Sequence, residues 1–367
     1  MRKFYQSVRL RVFSTIARRA AIAGVVAVAA IGLARPASAP AGQAVIGLDP
    51  SFYAQGPRLK AENGMVILWA PTAKGSPDSQ IQVFDSEGRE TMSLNLLESL
   101  PEAKNVVISD VSVSPGGTVA VGAQVFTKKD RGKSKLLLLD SAGHLYNSIA
   151  FDTGLGVVKL EVDDDQNIWV LRLGAGMGDP AKIPVLAKYD RDGNLTDEFL
   201  HFSDFTKDAQ IVHGGLALGG DVCMGVTQAR VWFWMPSSRE LVTVFRDGSG
   251  LQRVSTGLPA WPGASPAGGT VRARSCGGTV RARSCGGMDP DGMVCQVSFV
   301  PKASDGRKAT TALYQFRSDT RDWQPMQPAS LAEHPGLFLG VDQGKAVFAS
   351  FEPENHSIAV DSVTLGQ

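Results

Sequence analysis

The sequence predicts an all-β chain, a six-bladed β-propeller of four-stranded antiparallel blades. Three observations carry this. A strand-then-turn phrase occurs six times: QIQVFDSEGR (Gln80–Arg89), LLLLDSAGH (Leu136–His144), VLAKYDRDGN (Val185–Asn194), LVTVFRDGSG (Leu241–Gly250), LYQFRSDTR (Leu313–Arg321) and SIAVDSV (Ser357–Val363). A turn-then-strand phrase precedes each copy: AENGMVILW (Ala61–Trp69), VSPGGTVAVG (Val113–Gly122), VDDDQNIWVL (Val162–Leu171), LGGDVCMGV (Leu218–Val226), DPDGMVCQV (Asp289–Val297) and VDQGKAVFA (Val341–Ala349). Asp, Asn, Ser and Gly at the junctions tolerate or demand the backbone of a tight turn, so each pair of phrases is a four-stranded meander. Finally, one such meander cannot bury both of its faces, whereas six set radially can, and the ring leaves no long free edge.

Taken in order, the chain opens with a segment outside the repeats. Met1–Arg19 is basic and holds no acid, Ala20–Ala34 is an Ala/Val/Ile run, and Arg35–Gly42 is small-residue and Pro-containing. This is the layout of a secretory signal peptide, and the apolar run is shorter than the roughly 20 residues of a membrane span. Small residues fit cleavage after Ala39 or Ala41. The second is preferred, because Pro40 would lie just past the first cut. Residues 1–41 are therefore expected to be a signal peptide and 42–367 the propeller. A secreted or periplasmic chain with no membrane span after signal removal follows; an uncleaved N-terminal anchor is the competing reading.

AVIGLD (Ala44–Asp49) is strand-like, and the last copy has too few residues after its turn for another strand. A strand within Gly42–Phe52 is expected to complete blade six and close the ring. Ser93–Lys104, between blades one and two, has the chain's one helix-like pattern. Between blades four and five GGTVRARSC occurs twice without a gap, at Gly268–Cys276 and Gly277–Cys285. The phase of blade five makes Arg281–Met288 its innermost strand, which leaves the first copy surplus. The pair, 268–285, reads as a tolerated duplicated insertion rather than a basic finger for an acidic partner.

The four cysteines are Cys223, Cys276, Cys285 and Cys295. Cys223 and Cys295 take matching second-strand positions, where a small buried residue is the simplest reading. Cys276 and Cys285 could pair with each other, or either with Cys295. The spacing lacks the short CxxC pairs of a zinc site, so no metal is expected there. Asp163–Asp165 and Asp190–Asp192 fall where hairpins must turn and lack the Gly placement of a calcium loop. Trp232 and Trp234 alternate in a strand and read as core, while Trp261 and Trp323 are expected to be exposed. Net charge is +1, which gives no global field for nucleic acid or an anionic membrane.

DDQNIWV (Asp164–Val170) and YDRDGN (Tyr189–Asn194) resemble the repeats of six-bladed propellers of the NHL, TolB-like and SMP-30 type, and the resemblance covers about residues 44–367. It implies a ligand site at one mouth of the central channel, built from the innermost strands. The corresponding positions are Arg58, Asp110, Lys159, His213, Cys285 and Phe338. An SMP-30-like lactonase would hold calcium with a Glu, Asn and Asp set; here Asp110 and Glu161 qualify, and matching Asn residues are not evident. His213, before Gly214-Gly215, is a candidate general base or acid, although a hydrogen-bonded loop role is commoner. His334, before Pro335-Gly336, is its counterpart in blade six. The candidates are thus Asp110, Glu161 and His213 for catalysis and Arg58, Lys159 and His334 for ligand binding, with no metal ligands. The leading expectation is an exported, monomeric, non-catalytic scaffold without a cofactor, binding a protein, peptide or glycan through its loops. The alternative is a metal-dependent hydrolase, lactonase or lyase of a small cyclic compound, with calcium at the channel mouth.

Overall fold

A computed structural model describes residues 43–70, 79–128, 132–151, 156–173, 184–204, 222–235, 239–257, 259, 279–289, 292–300, 310–326 and 334–365. The expected signal peptide, His213, Trp261 and the first GGTVRARSC copy lie outside them. The chain enters through β1 (Gln43–Gly47) and a short helix, α1 (Pro50–Ala54). Blade one is β2 (Arg58–Glu62), β3 (Met65–Trp69), β4 (Gln80–Phe84) and β5 (Glu90–Asn95). One helical turn, α2 (Leu96–Ser99), occupies the helix-like segment before blade two. Blade two is β6 (Ala103–Val113), β7 (Val119–Thr127), β8 (Lys133–Leu139) and β9 (Leu145–Ala150). Blade three follows with β10 (Gly156–Val162), β11 (Ile168–Leu173), β12 (Pro184–Tyr189) and β13 (Leu195–His201). Blade four is β14 (Cys223–Val226), β15 (Arg230–Met235), β16 (Glu240–Phe245) and β17 (Gln252–Ser255). Blade five is β18 (Thr279–Asp289), β19 (Gly292–Val300), β20 (Thr310–Arg317) and β21 (Asp322–Pro325). Blade six is β22 (Leu337–Asp342), β23 (Lys345–Glu352) and β24 (Ser357–Thr364), with β1 added at its edge.

Each of the six sheets thus has four antiparallel strands. β1 pairs with β24 from Gln43↔Asp361 to Gly47↔Ser357, so the first strand of the fold completes the last blade. The turns explain the Asp-x-x-Gly phrases. Asp85, Asp140 and Asp190 each accept backbone N–H groups two and four residues on, and Gly88, Gly143 and Gly193 supply the positive φ that follows. Asp163 does the same for Asp165 and Asn167 and also accepts the Trp169 indole N–H at 2.9 Å. These carboxylates are engaged in turn geometry.

The core lies between blades. Phe233 of β15 packs toward blade three with Trp169 and Leu171, while Trp232 and Trp234 pack toward blade five with Met293, Phe316 and Trp323. Strand alternation thus gives each neighbour one face, and each fully buried large side chain contributes on the order of 2 kcal/mol. Close approach is enforced in places: a Cβ on Gly122 would lie 2.4 Å from Val157 of the next blade.

Two expectations need correction. Trp323 is buried, because its indole N–H donates to the Thr256 carbonyl at 2.8 Å across the gap between blades four and five. Cys295 is buried but also disulfide-bonded; its Cα partner in the β18–β19 ladder is Cys285. Cys223 is buried. The second GGTVRARSC copy opens β18, so deleting residues 268–276 is expected to leave the melting temperature unchanged. A chain that no longer folds after that deletion would show the first copy to be needed.

Candidate functional site

The innermost strands β2, β6, β10, β14 and β22 line a cavity of about 1030 Å³. Most of its charged wall comes from blades one to three, with Arg246 added from blade four and Asp342 from blade six. Arg58, Lys60 and Glu62 alternate along β2 and so share a face. Asp110 on β6 and Lys159 on β10 each follow directly on a break in ladder register, at Ile108/Asp110 and Val157/Lys159. Such bulges twist a strand and re-aim the next side chain.

At the centre is the Lys60 ammonium. It lies 2.7 Å from Glu62 Oε2 and 3.0 Å from Glu161 Oε1. It also donates to the carbonyls of Leu160 at 3.0 Å and Val111 at 3.3 Å. The carboxylates have further work. Glu62 Oε1 accepts the Val113 N–H, and Asp110 Oδ2 accepts the Leu160 N–H at 3.0 Å. In the same way Ser112 Oγ accepts the Val162 N–H at 2.9 Å. Side chains of one inner strand therefore satisfy the open backbone edge of the next, which water would otherwise have to do.

Burial pushes the Glu161 carboxyl up to about 8, against the pull of Lys60. Burial also disfavours the Lys60 ammonium, but Glu161 and Glu62 outweigh it and hold that group above its usual range. The raised Glu161 value has a sign for stability. Its contribution is fully present below the ordinary value of 4.5 and is lost as pH rises through about 8. The difference in unfolding free energy between wild type and E161Q, read from urea titrations, is expected to move against wild type across that window by at most about 1.4 kcal/mol per pH unit. A pH-independent difference would show that Glu161 titrates normally.

Of the sequence candidates, the structure brings Arg58, Asp110, Lys159 and Glu161 to this one cavity. Asp110 is fully buried within the long strand β6, and the partly exposed Glu161 pairs with Lys60. His334 packs elsewhere. Its ring stacks on Phe348 at 3.9 Å, its Nδ1 accepts the Gly336 N–H at 3.1 Å, and burial lowers its pKa. Lys60 and Glu62, absent from the sequence candidates, hold the centre. Their signal was the RLKAE alternation, with charge at every second residue of an innermost strand.

Lys60 already fills the place among the oxygens that a cation would take. Among the described residues, no three His, Cys, Asp or Glu side chains converge as metal ligands.

The strand order gives the fold. It is a six-bladed propeller. The chain is similar to a member of the DUF4221 family from Bacteroides vulgatus, at 11% identity and a TM-score of 0.52, with 87% of this chain and 95% of that one covered. A more distant likeness, at 12% identity and a TM-score of 0.44, is to the major Malassezia sympodialis allergen Mala s 1, covering 88% of this chain and 96% of that one. No family model matches the chain, and no curated protein matches its sequence. Among the described residues no helix is long and apolar enough to cross a membrane.

Proposed function

We propose that this is an exported, non-catalytic propeller that binds a protein, peptide or glycan at the rim of its channel. One observation carries the reading: Glu62 and Glu161 pair with Lys60, and Glu62 and Asp110 each accept a backbone N–H of the neighbouring blade. Groups committed in this way brace the ring and are poorly placed to bind a cation or activate water. The basic, Ala-rich leader supports export.

The alternative, a hydrolase or lyase of a small cyclic compound, is favoured by Glu161 alone. A carboxyl that keeps its proton near neutral pH suits a general acid. Two measurements separate the readings. A binding propeller is expected to show a melting temperature indifferent to calcium and to EDTA, and no turnover of small lactones. Stabilisation by calcium together with lactone hydrolysis that E161Q abolishes would overturn it.

A further inference from the structure

We infer that the Arg58 end of the channel is a seat for a carboxylate, filled by a small organic anion. This rests on the binding reading above and names the chemistry of its ligand. Arg58 is exposed at the first position of β2, and among the described residues its guanidinium makes one hydrogen bond, to the Ser109 carbonyl at 3.4 Å. The Lys159 ammonium, with its side chain 33% exposed, is 3.8 Å from Asp110 Oδ1, beyond hydrogen-bond length. The two cations thus flank one two-residue segment of β6 from the blades on either side. The carboxylate between them, Asp110, is already engaged through its other oxygen by the Leu160 N–H. Most of the donors of Arg58 and Lys159 remain unused and face a cavity.

A carboxylate offers two oxygens in one plane, which suits a guanidinium and an ammonium together. Beside the charged wall, Val222, Leu337 and the 40% exposed Phe351 give apolar surface, which favours an organic anion over an inorganic one.

The test uses the full chain with succinate and glucuronate as probes and with glucose and sodium chloride as controls, read by calorimetry and melting temperature. Either acid is expected to bind and stabilise wild type, while glucose and salt do not. R58Q and K159Q should each weaken binding about tenfold or more, the loss of a charged hydrogen bond, and K159R should retain it. Binding of glucuronate alone would assign the carboxylate to an acidic saccharide, and binding of both probes to a free organic acid. Failure of both acids to stabilise wild type, or wild-type affinity in R58Q and K159Q, would overturn the inference. A neutral glycan or peptide that binds wild type and R58Q alike would overturn it too, yet leave the binding function standing. Lactone turnover would remove that function itself.

Discussion

K60M is expected to lose about 3–5 kcal/mol of unfolding free energy, because removing one member of a buried ion cluster strands the others without compensation. Met keeps most of the packing of the lysine stem, so the loss isolates the ammonium. Without it, Glu62 and Glu161 lose their shared counter-charge, and the carbonyls of Val111 and Leu160 lose a donor. Adding E161Q should return part of the loss, since it removes one carboxyl from the stranded set. Urea unfolding of K60M, E161Q and the double variant measures this directly. If K60M unfolds at the wild-type midpoint, the ammonium is not the centre of the cluster and water reaches these carboxylates.

The second large effect is expected on removal of residues 42–52 from the propeller. Five residue pairs join β1 to β24, and Ile46, Leu48 and Phe52 are buried against blades one and six. Those side chains alone are worth about 1.5–3 kcal/mol each. The sum rivals the 5–15 kcal/mol that typically separates a folded domain from its unfolded chain. The truncated protein would also expose the backbone edge of β24, which invites pairing with another chain. Loss of a cooperative melt and the appearance of aggregates by size-exclusion chromatography are expected. A chain starting at residue 53 that melts like the 42–367 protein would show that the ring closes without β1.

The blade count and the closing strand were legible because their signals are local. Asp85, Asp140 and Asp190 mark three hairpins by a short-range pattern, and the missing strand after Val363 points to a donor elsewhere. Part of the channel cluster was legible on the same footing, since Arg58, Asp110 and Lys159 fall at matching phases of their repeats and Glu161 follows Lys159 in the same strand. Its chemistry was not. Whether Glu161 is a rim acid or a buried partner depends on Lys60, which lies 101 positions earlier in the chain. It also depends on bulges at Ile108 and Val157 that no residue preference announces. Exposed tryptophan was misjudged at Trp323 for a related reason: the partner that buries it, Thr256, belongs to the preceding blade.

The hydrogen bonds that pass from one inner strand to the next limit how this pore can diverge. A substitution at Glu62, Asp110 or Ser112 alters the joint between two blades as well as the surface that a visiting molecule would meet. Arg58 and Lys159 reach the neighbouring inner strand only through looser contacts, a 3.4 Å hydrogen bond to the Ser109 carbonyl and a 3.8 Å ion pair with Asp110. New specificities in proteins built on this plan should therefore arise by changes around the opening, while the polar girdle beneath it stays fixed.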